Sequence, residues 1–270
     1  MHPVVPLNFG RRVWRNRYTI RSLVARDLRA RYVGSFLGLF WSVIHPLVQL
    51  GLYYWIFSIV LQARLAPEYA QTPYALWLMA GLLPWMLFAE VVTRAPNAVL
   101  DQTALVTQMV FPSEILPLVH LASAFINHLI GVALLLSLCG ILGFPAGPGL
   151  LWLIPYAVGI ALLALGLAWL LAALNVFLRD VGQVVGVLVN VWFFLTPVLY
   201  SRHLLAGRFE RVLDLNPMLH AIEGYRAALL GQTVETHSYA LAYLAGTGLL
   251  FCAAGGLLFR KLKPAFADVL

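Results

Sequence analysis

Few residues in this chain could carry proton or metal chemistry, and they are scattered. Glu90, His45, His120 and His128 lie in or beside apolar stretches, Glu90 close to one end of its stretch. A proton relay buries several ionisable groups together in the membrane. These four are spread too widely for that, and each reads as a satisfied or pore-facing polar residue. Cys139 and Cys252 sit in apolar runs with no partner at metal-ligand spacing, so they read as small buried hydrophobes. An enzyme working at a membrane face would need clustered carboxylates or histidines. Segment 202–237 offers Glu210, Asp214, His220 and Glu223, but also Arg202, Arg208, Arg211 and Arg226 to pair them off. A phosphate-binding loop ends in Gly-Lys-Ser/Thr. The only lysines, Lys261 and Lys263, are followed by Leu262 and Pro264, so the chain is not its own ATPase of that type.

These residues must be positioned by membrane helices. Apolar residues make up 61% of 270, charged residues 11%, and mean hydropathy is +0.85. A soluble core cannot hide that share, and the apolar runs are continuous rather than alternating. The expected fold is therefore an all-α integral membrane protein and not a barrel. Six transmembrane helices fit, at about 34–61, 72–94, 114–143, 150–177, 182–201 and 238–259. With the N-terminus inside, thirteen Lys and Arg fall on the cytoplasmic side and five outside. That satisfies the positive-inside rule and puts both termini in the cytoplasm. No signal peptide is expected, because the first apolar run starts late and is too long for one.

Eight arginines precede residue 33, a distribution that suits anionic lipid headgroups better than nucleic acid. A helix over 11–32 would carry Val13, Trp14, Tyr18, Ile20, Val24, Ala25, Leu28 and Tyr32 on one side. Arg11, Arg12, Arg15, Arg26 and Arg29 would line the other, while Arg17 and Arg21 would have to snorkel. This predicts an amphipathic interfacial helix within a cytoplasmic segment 1–33, ahead of a single transmembrane domain, 34–270. Segment 202–237 predicts two short helices, near 204–213 and 218–230, broken at Asn216-Pro217. Neither can span, so both are expected to re-enter the membrane or cap its outer mouth. Gly34 with Gly38 and Gly182 with Gly186 are spaced for close helix packing, and Pro46 and Pro197 would kink their spans.

Several stretches together resemble one family. They are Arg26 to Tyr32 with Gly34 to Pro46, Phe111 to Pro117, and the run Leu174-Asn175-Val176-Phe177-Leu178-Arg179-Asp180-Val181-Gly182 with its aromatic span. Asn216-Pro217 through Arg226 and the tail from Phe259 to Leu270 complete the set. The likeness is to the membrane subunit of type-2 ABC exporters of lipid-linked polysaccharide, the group exporting O-antigen, teichoic acid and some capsules.

The resemblance implies a homodimer of this permease in the bacterial inner membrane, bound to a separate dimeric ATPase that holds ATP and Mg. No cofactor or metal is then expected in this chain. The cargo implied is an undecaprenyl-pyrophosphate-linked glycan, O-antigen first, with capsule or teichoic acid as the alternative. By resemblance, spans one and five line the channel. Aromatic rings suit that task, because sugar C–H faces slide on them without fixed hydrogen-bond geometry. The candidates are Phe36, Phe40, Trp41, Trp192, Phe193, Phe194 and Tyr200. The loop 95–113, with Asn97, Asp101 and Gln102, is the expected ATPase coupling element. Arg179 and Asp180 are either a second contact or an ion pair closing the turn. Arg29 and Arg31 have the forked chemistry for a lipid pyrophosphate, or anchor the helix on anionic lipid. The rivals are a membrane enzyme of envelope glycan assembly and an exporter of drugs or small lipids.

Overall fold

The computed structural model describes residues 7–30, 40–62, 72–108, 111–143, 148–202, 212–230 and 237–270, and the regular structure among them is helical throughout. Arg31, Gly34, Phe36, Gly38 and most of the expected helix near 204–213 lie outside the described residues. Among the described residues eleven α-helices follow in order. They are α1 (Leu7–Arg15), α2 (Arg17–Ala30), α3 (Trp41–Tyr54, running into a π-helical turn Trp55–Val60), α4 (Tyr74–Arg94), α5 (Thr103–Gln108) and α6 (Leu116–Ile141). Then come α7 (Leu153–Phe177), α8 (Val181–Leu195), α9 (Pro217–Leu230), α10 (His237–Leu262) and α11 (Phe266–Val269).

With their terminal turns, α4, α6, α7 and α10 form helices long and apolar enough to cross a membrane: Tyr74–Ala98, Ser113–Ile141, Gly149–Phe177 and Ser238–Val269. The apolar stretches of α3 and α8 are shorter, Leu47–Val60 and Val181–Leu195. The chain is an all-α, multi-pass membrane protein.

The N-terminal amphipathic segment forms two helices, broken at Asn16, whose side-chain amide donates to the Arg12 carbonyl at 2.8 Å. The side that packs on the body is Ile20, Leu23 and Val24. Trp14 and Tyr18 are exposed, and the Arg17 guanidinium lies over both rings, 5.1 and 4.4 Å from their centres.

The fifth apolar helix stops at Leu195, short of the expected 201. Thr196 is extended (φ −97°, ψ 135°) because the following Pro197 disfavours helix in the residue before it. Fifteen residues reach about 22 Å, less than the ~30 Å hydrocarbon core. The broken end is closed by α9. Asn216 caps α9, accepting from the Met218 amide at 3.0 Å, and Pro217 takes the first helical position, where no amide is needed. Asn216 also accepts from Trp192 Nε1 (3.0 Å) and donates to Thr196 Oγ1 (2.8 Å), tying the two helix ends together.

From the next turns of α9, buried Arg226 donates to the carbonyls of Pro197 (3.0 Å), Val198 (2.7 Å) and Trp77 (3.4 Å). Its guanidinium stands 3.5 Å from the centre of the Trp77 ring. Gly81, about two turns into α4, makes room: a Cβ there would lie 2.6 Å from an Arg226 nitrogen. The helix expected near 218–230 is thus a buried element inserted against α4, α7 and α10.

α7 and α10 run parallel in backbone contact. Gly159 meets Leu244 at one level, and Gly166 meets Phe251, Cys252 and Gly255 about two turns further on. The tail then folds under the bundle, with Phe266 against Phe259 (5.3 Å) and Phe177 (6.1 Å).

At the seam a methyl has nowhere to go, since a Cβ on Gly255 would sit 2.0 Å from the Gly166 carbonyl oxygen. Gly255→Ala is expected to cost about 1–3 kcal/mol or more by overpacking, read as a lowered melting midpoint in detergent. Gly140→Ala, where nothing lies within 4 Å, should leave the midpoint unchanged or slightly raised.

Candidate functional site

On the face where the N-terminal helices pack, charged residues from distant parts of the chain meet in two clusters. Glu114, at the start of the α6 segment and 6% exposed, accepts from Arg12 of α1 (2.7 Å) and from Lys263 beyond α10 (2.5 Å). Its carbonyl accepts from Trp169 Nε1 of α7 at 2.9 Å. One acid therefore joins the N-terminal helix, α6, α7 and the tail. A carboxylate this buried is tolerated because its two cations replace its water.

The second cluster surrounds Asp27 of α2. Arg94, at the end of α4, grips it with both guanidinium nitrogens, and His120 Nδ1 of α6 is 3.7 Å away. Arg94 also lies 3.8 Å from Glu90, whose carboxylate accepts from Asn127 of α6 at 3.2 Å. Beside this cluster is a cavity of about 350 Å³, lined by Arg26, Asp27, Arg94, Asp101, Gln102 and His120 among others.

The segment expected to meet the ATPase is nearly continuous helix: 3₁₀ turns Ala95–Ala98 and Leu100–Gln102 lead into α5. Gln102 accepts from Arg26 of α2, and Asp101 is exposed. Partial burial raises the Asp101 carboxyl, Arg94 opposes that, and Asp27 adds to it. Asn97 is exposed, and its side-chain oxygen accepts from Asn175 Nδ2 at 3.2 Å.

Asn175 is the polar centre of the hinge. Its amide donates to the Pro96 carbonyl (3.0 Å) and to Asn97, and its oxygen accepts the Gly182 amide (3.1 Å). Segment 95–98 and the 178–182 turn are therefore held by one buried side chain. Arg179 and Asp180 project outward, both exposed, and the Asp180 side chain does not cap α8. Gly182 faces Pro96, Asn175 and Asn97 within the same chain, whereas Gly186 has nothing within 4 Å of a built Cβ.

The structure divides the aromatic residues of α8 between its two faces. Phe193 is buried, with ring centres 5.4 Å from Trp85 of α4 and 6.1 Å from Tyr53 of α3. Trp192 stands edge-on to Phe88 at 5.1 Å. Phe194 is on the opposite face and 65% exposed, in line with Val184, Val187 and Val191. Phe40 and Trp41, where α3 begins, are exposed. The Tyr200 hydroxyl donates to the Phe194 carbonyl at 3.0 Å. Arg29 is exposed and lines an open basic groove of about 640 Å³ with Arg21, Arg26 and Tyr18.

Among the residues that a membrane enzyme would use, Asp214 and Glu223 are paired by Arg202 at 3.2 and 3.4 Å. His220 bonds the Asp214 carbonyl (2.9 Å) and lies beside the Tyr243 ring at 4.9 Å. His128 is buried between the Leu83 carbonyl (3.3 Å) and the Tyr225 hydroxyl (2.9 Å).

A family model described as "ABC-2 type transporter" matches residues 18–230. The chain belongs to the ABC-2 type transporter family. An O-antigen export system permease protein of Myxococcus xanthus is 33% identical over 264 residues, covering 96% of this chain and 97% of the relative. A protein of the same description from Klebsiella pneumoniae is 28% identical over 91% of this chain and 92% of its own length. A polysialic acid transport protein of Escherichia coli is 23% identical over 92% and 94%. As an ABC-2 type permease this chain is a transport subunit, and Asp214 and Glu223 are partners of Arg202.

Asp27 and Glu114 stand inside sequence motifs that give neither of them a role, because their partners lie 67 and 102 residues away. Glu114→Gln should free α1 without unfolding the bundle, since α2 keeps its own hold through Asp27 and Arg94. Amide exchange over residues 7–15 is expected to rise about tenfold while α7 and α10 stay protected, as hydrogen-exchange mass spectrometry would read.

Proposed function

We propose that this chain is the permease of an ATP-driven exporter that moves an undecaprenyl-pyrophosphate-linked polysaccharide, O-antigen, across the bacterial inner membrane. The observation that carries the reading is the end-to-end match to O-antigen export permeases at 27–33% identity, against 22–23% for the polysialic acid transport proteins. Capsular polysaccharide and teichoic acid are the alternative cargoes, since the polysialic acid relatives also match over more than nine-tenths of the chain.

Two copies form the channel, each offering the exposed faces of α3 and α8. Both faces are apolar and carry aromatics, Phe40 and Trp41 on one and Phe194 on the other. Tyr200 extends these surfaces, Phe36 is assigned to the same channel, and Trp192 and Phe193 support the wall from behind. Gly34, Gly38 and Gly186 allow the copies to approach. Gly182 serves instead the contact with segment 95–98, whose Pro96 and Asn97 are its near neighbours.

Both termini are cytoplasmic, in keeping with the distribution of arginine and lysine. A separate ATPase dimer, which holds ATP and Mg, docks on Asp101, Gln102 and the exposed Arg179 and Asp180. Its thrust passes to the hinge through Asn97 and Asn175. Arg29 and Arg31 receive the carrier pyrophosphate at the start of span one.

Purification of the tagged chain from native membranes in mild detergent should recover a P-loop ATPase in equal amount. Recovery of the permease alone at every detergent strength tested would overturn the exporter reading. Within the complex, Phe194→Ala is expected to lower polysaccharide export about tenfold while ATP hydrolysis continues, measured as surface glycan against phosphate released. Equal loss after Leu195→Ala would point to packing rather than to the aromatic ring.

A further inference from the structure

Beside the seam between α7 and α10 lies a groove of about 600 Å³. Its walls are Leu162 and Leu165 from α7 and Leu249, Ala253 and Leu257 from α10, and Arg260 closes one end. The seam makes the groove. Gly166 and Gly255 bring the two backbones into contact, so the larger side chains on either side form its banks. Leu249 and Leu257 are 58% and 65% exposed, so the groove faces outward from the bundle.

Three observations define the occupant. From Leu249 to Arg260 the groove climbs about 16 Å along α10, the depth of one leaflet of a ~30 Å hydrocarbon core. Its lining is apolar, with Cys252 and Trp169 among the leucines, and its charged residues are Glu114 and Arg260. At that end the charge balance is positive. The Glu114 carboxylate is already taken by Arg12 and Lys263, whereas Arg260 makes no hydrogen bond or ion pair among the described residues, and Lys261 adds a further cation. A molecule that fits must carry apolar surface for the depth of one leaflet and then a negative group.

We propose that this groove is a binding site for an anionic phospholipid of the leaflet at the Arg260 end, one acyl chain lying between α7 and α10 and the phosphate on Arg260. The lipid covers the seam where the glycines leave no side chains to do so, and it clamps the two helices from outside. Assignment to the inner leaflet rests on the topology proposed above; the binding itself does not.

Native mass spectrometry of the purified permease tests this, with phosphatidylglycerol and phosphatidylcholine of identical acyl chains added in turn. The wild-type chain should hold one phosphatidylglycerol that survives collisional activation, in preference to phosphatidylcholine. Arg260→Gln should cut that retention about fivefold and leave phosphatidylcholine unaffected. Ala253→Phe fills the groove at an exposed position, so it should fold and should lose the same retained lipid. Equal retention of the two lipids by the wild type, or no change in Arg260→Gln, would overturn the proposal. Displacement of phosphatidylglycerol by an equal concentration of a polyprenyl phosphate would also overturn it, by giving the groove to an isoprenoid carrier. The measurement uses protein and lipid alone, so its outcome is independent of what the exporter carries.

Discussion

The architecture depends on one buried guanidinium. A helix that stops inside a membrane leaves carbonyls with no partner, each a cost of several kcal/mol in hydrocarbon. α8 stops at Leu195, where Thr196 and the Tyr200 hydroxyl meet the carbonyls of Trp192, Phe193 and Phe194, and Arg226 meets those of Pro197 and Val198 just beyond while also reaching Trp77. That side chain holds the segment after the short helix and ties α9 to it. It also holds α4 beneath both, with Gly81 cut back to admit it. The Asn216 cap, the Trp192 bond and the pairing of Arg202 with Glu223 all follow from where Arg226 puts α9.

The order of apolar helices was legible in the composition, because a run of twenty apolar residues suits a membrane span and little else. The break at Asn216-Pro217 was legible as turn chemistry and became a helix cap. Arg226 was counted among the outer cations, and charge counting does not show that this arginine is buried. No local pattern marks the one that serves a broken helix. The early end of α8 was present in Thr196-Pro197, but the apolar run continues past it and hid the stop.

The candidate site was less legible, for a physical reason. In water the polar side of a helix shows which way it faces; in lipid both sides are apolar. The sequence therefore could not separate Phe193, buried against Trp85, from Phe194 on the outer face one residue later. Ion pairs had the opposite difficulty. Asp27 and Glu114 were visible as charges, but their partners come from turns and helices remote in the chain. Asn175 stood in the hinge run, and only folding shows that it bridges to Pro96 and Gly182.

α8 is interrupted at both ends, at Leu178 (φ −129°, ψ 89°) and at Thr196, while the residues between form unbroken helix. Such an element behaves as a strut between two joints. It can tilt without bending, and its lower joint shares Asn175 with segment 95–98 while its upper joint shares Asn216 and Arg226 with α9. The parallel seam of α7 and α10 permits no such freedom, since backbone against backbone leaves no slack for sliding. The molecule thus divides into a stiff spar and a bar jointed at both ends, the bar resting on α4 through Trp192 and Phe193.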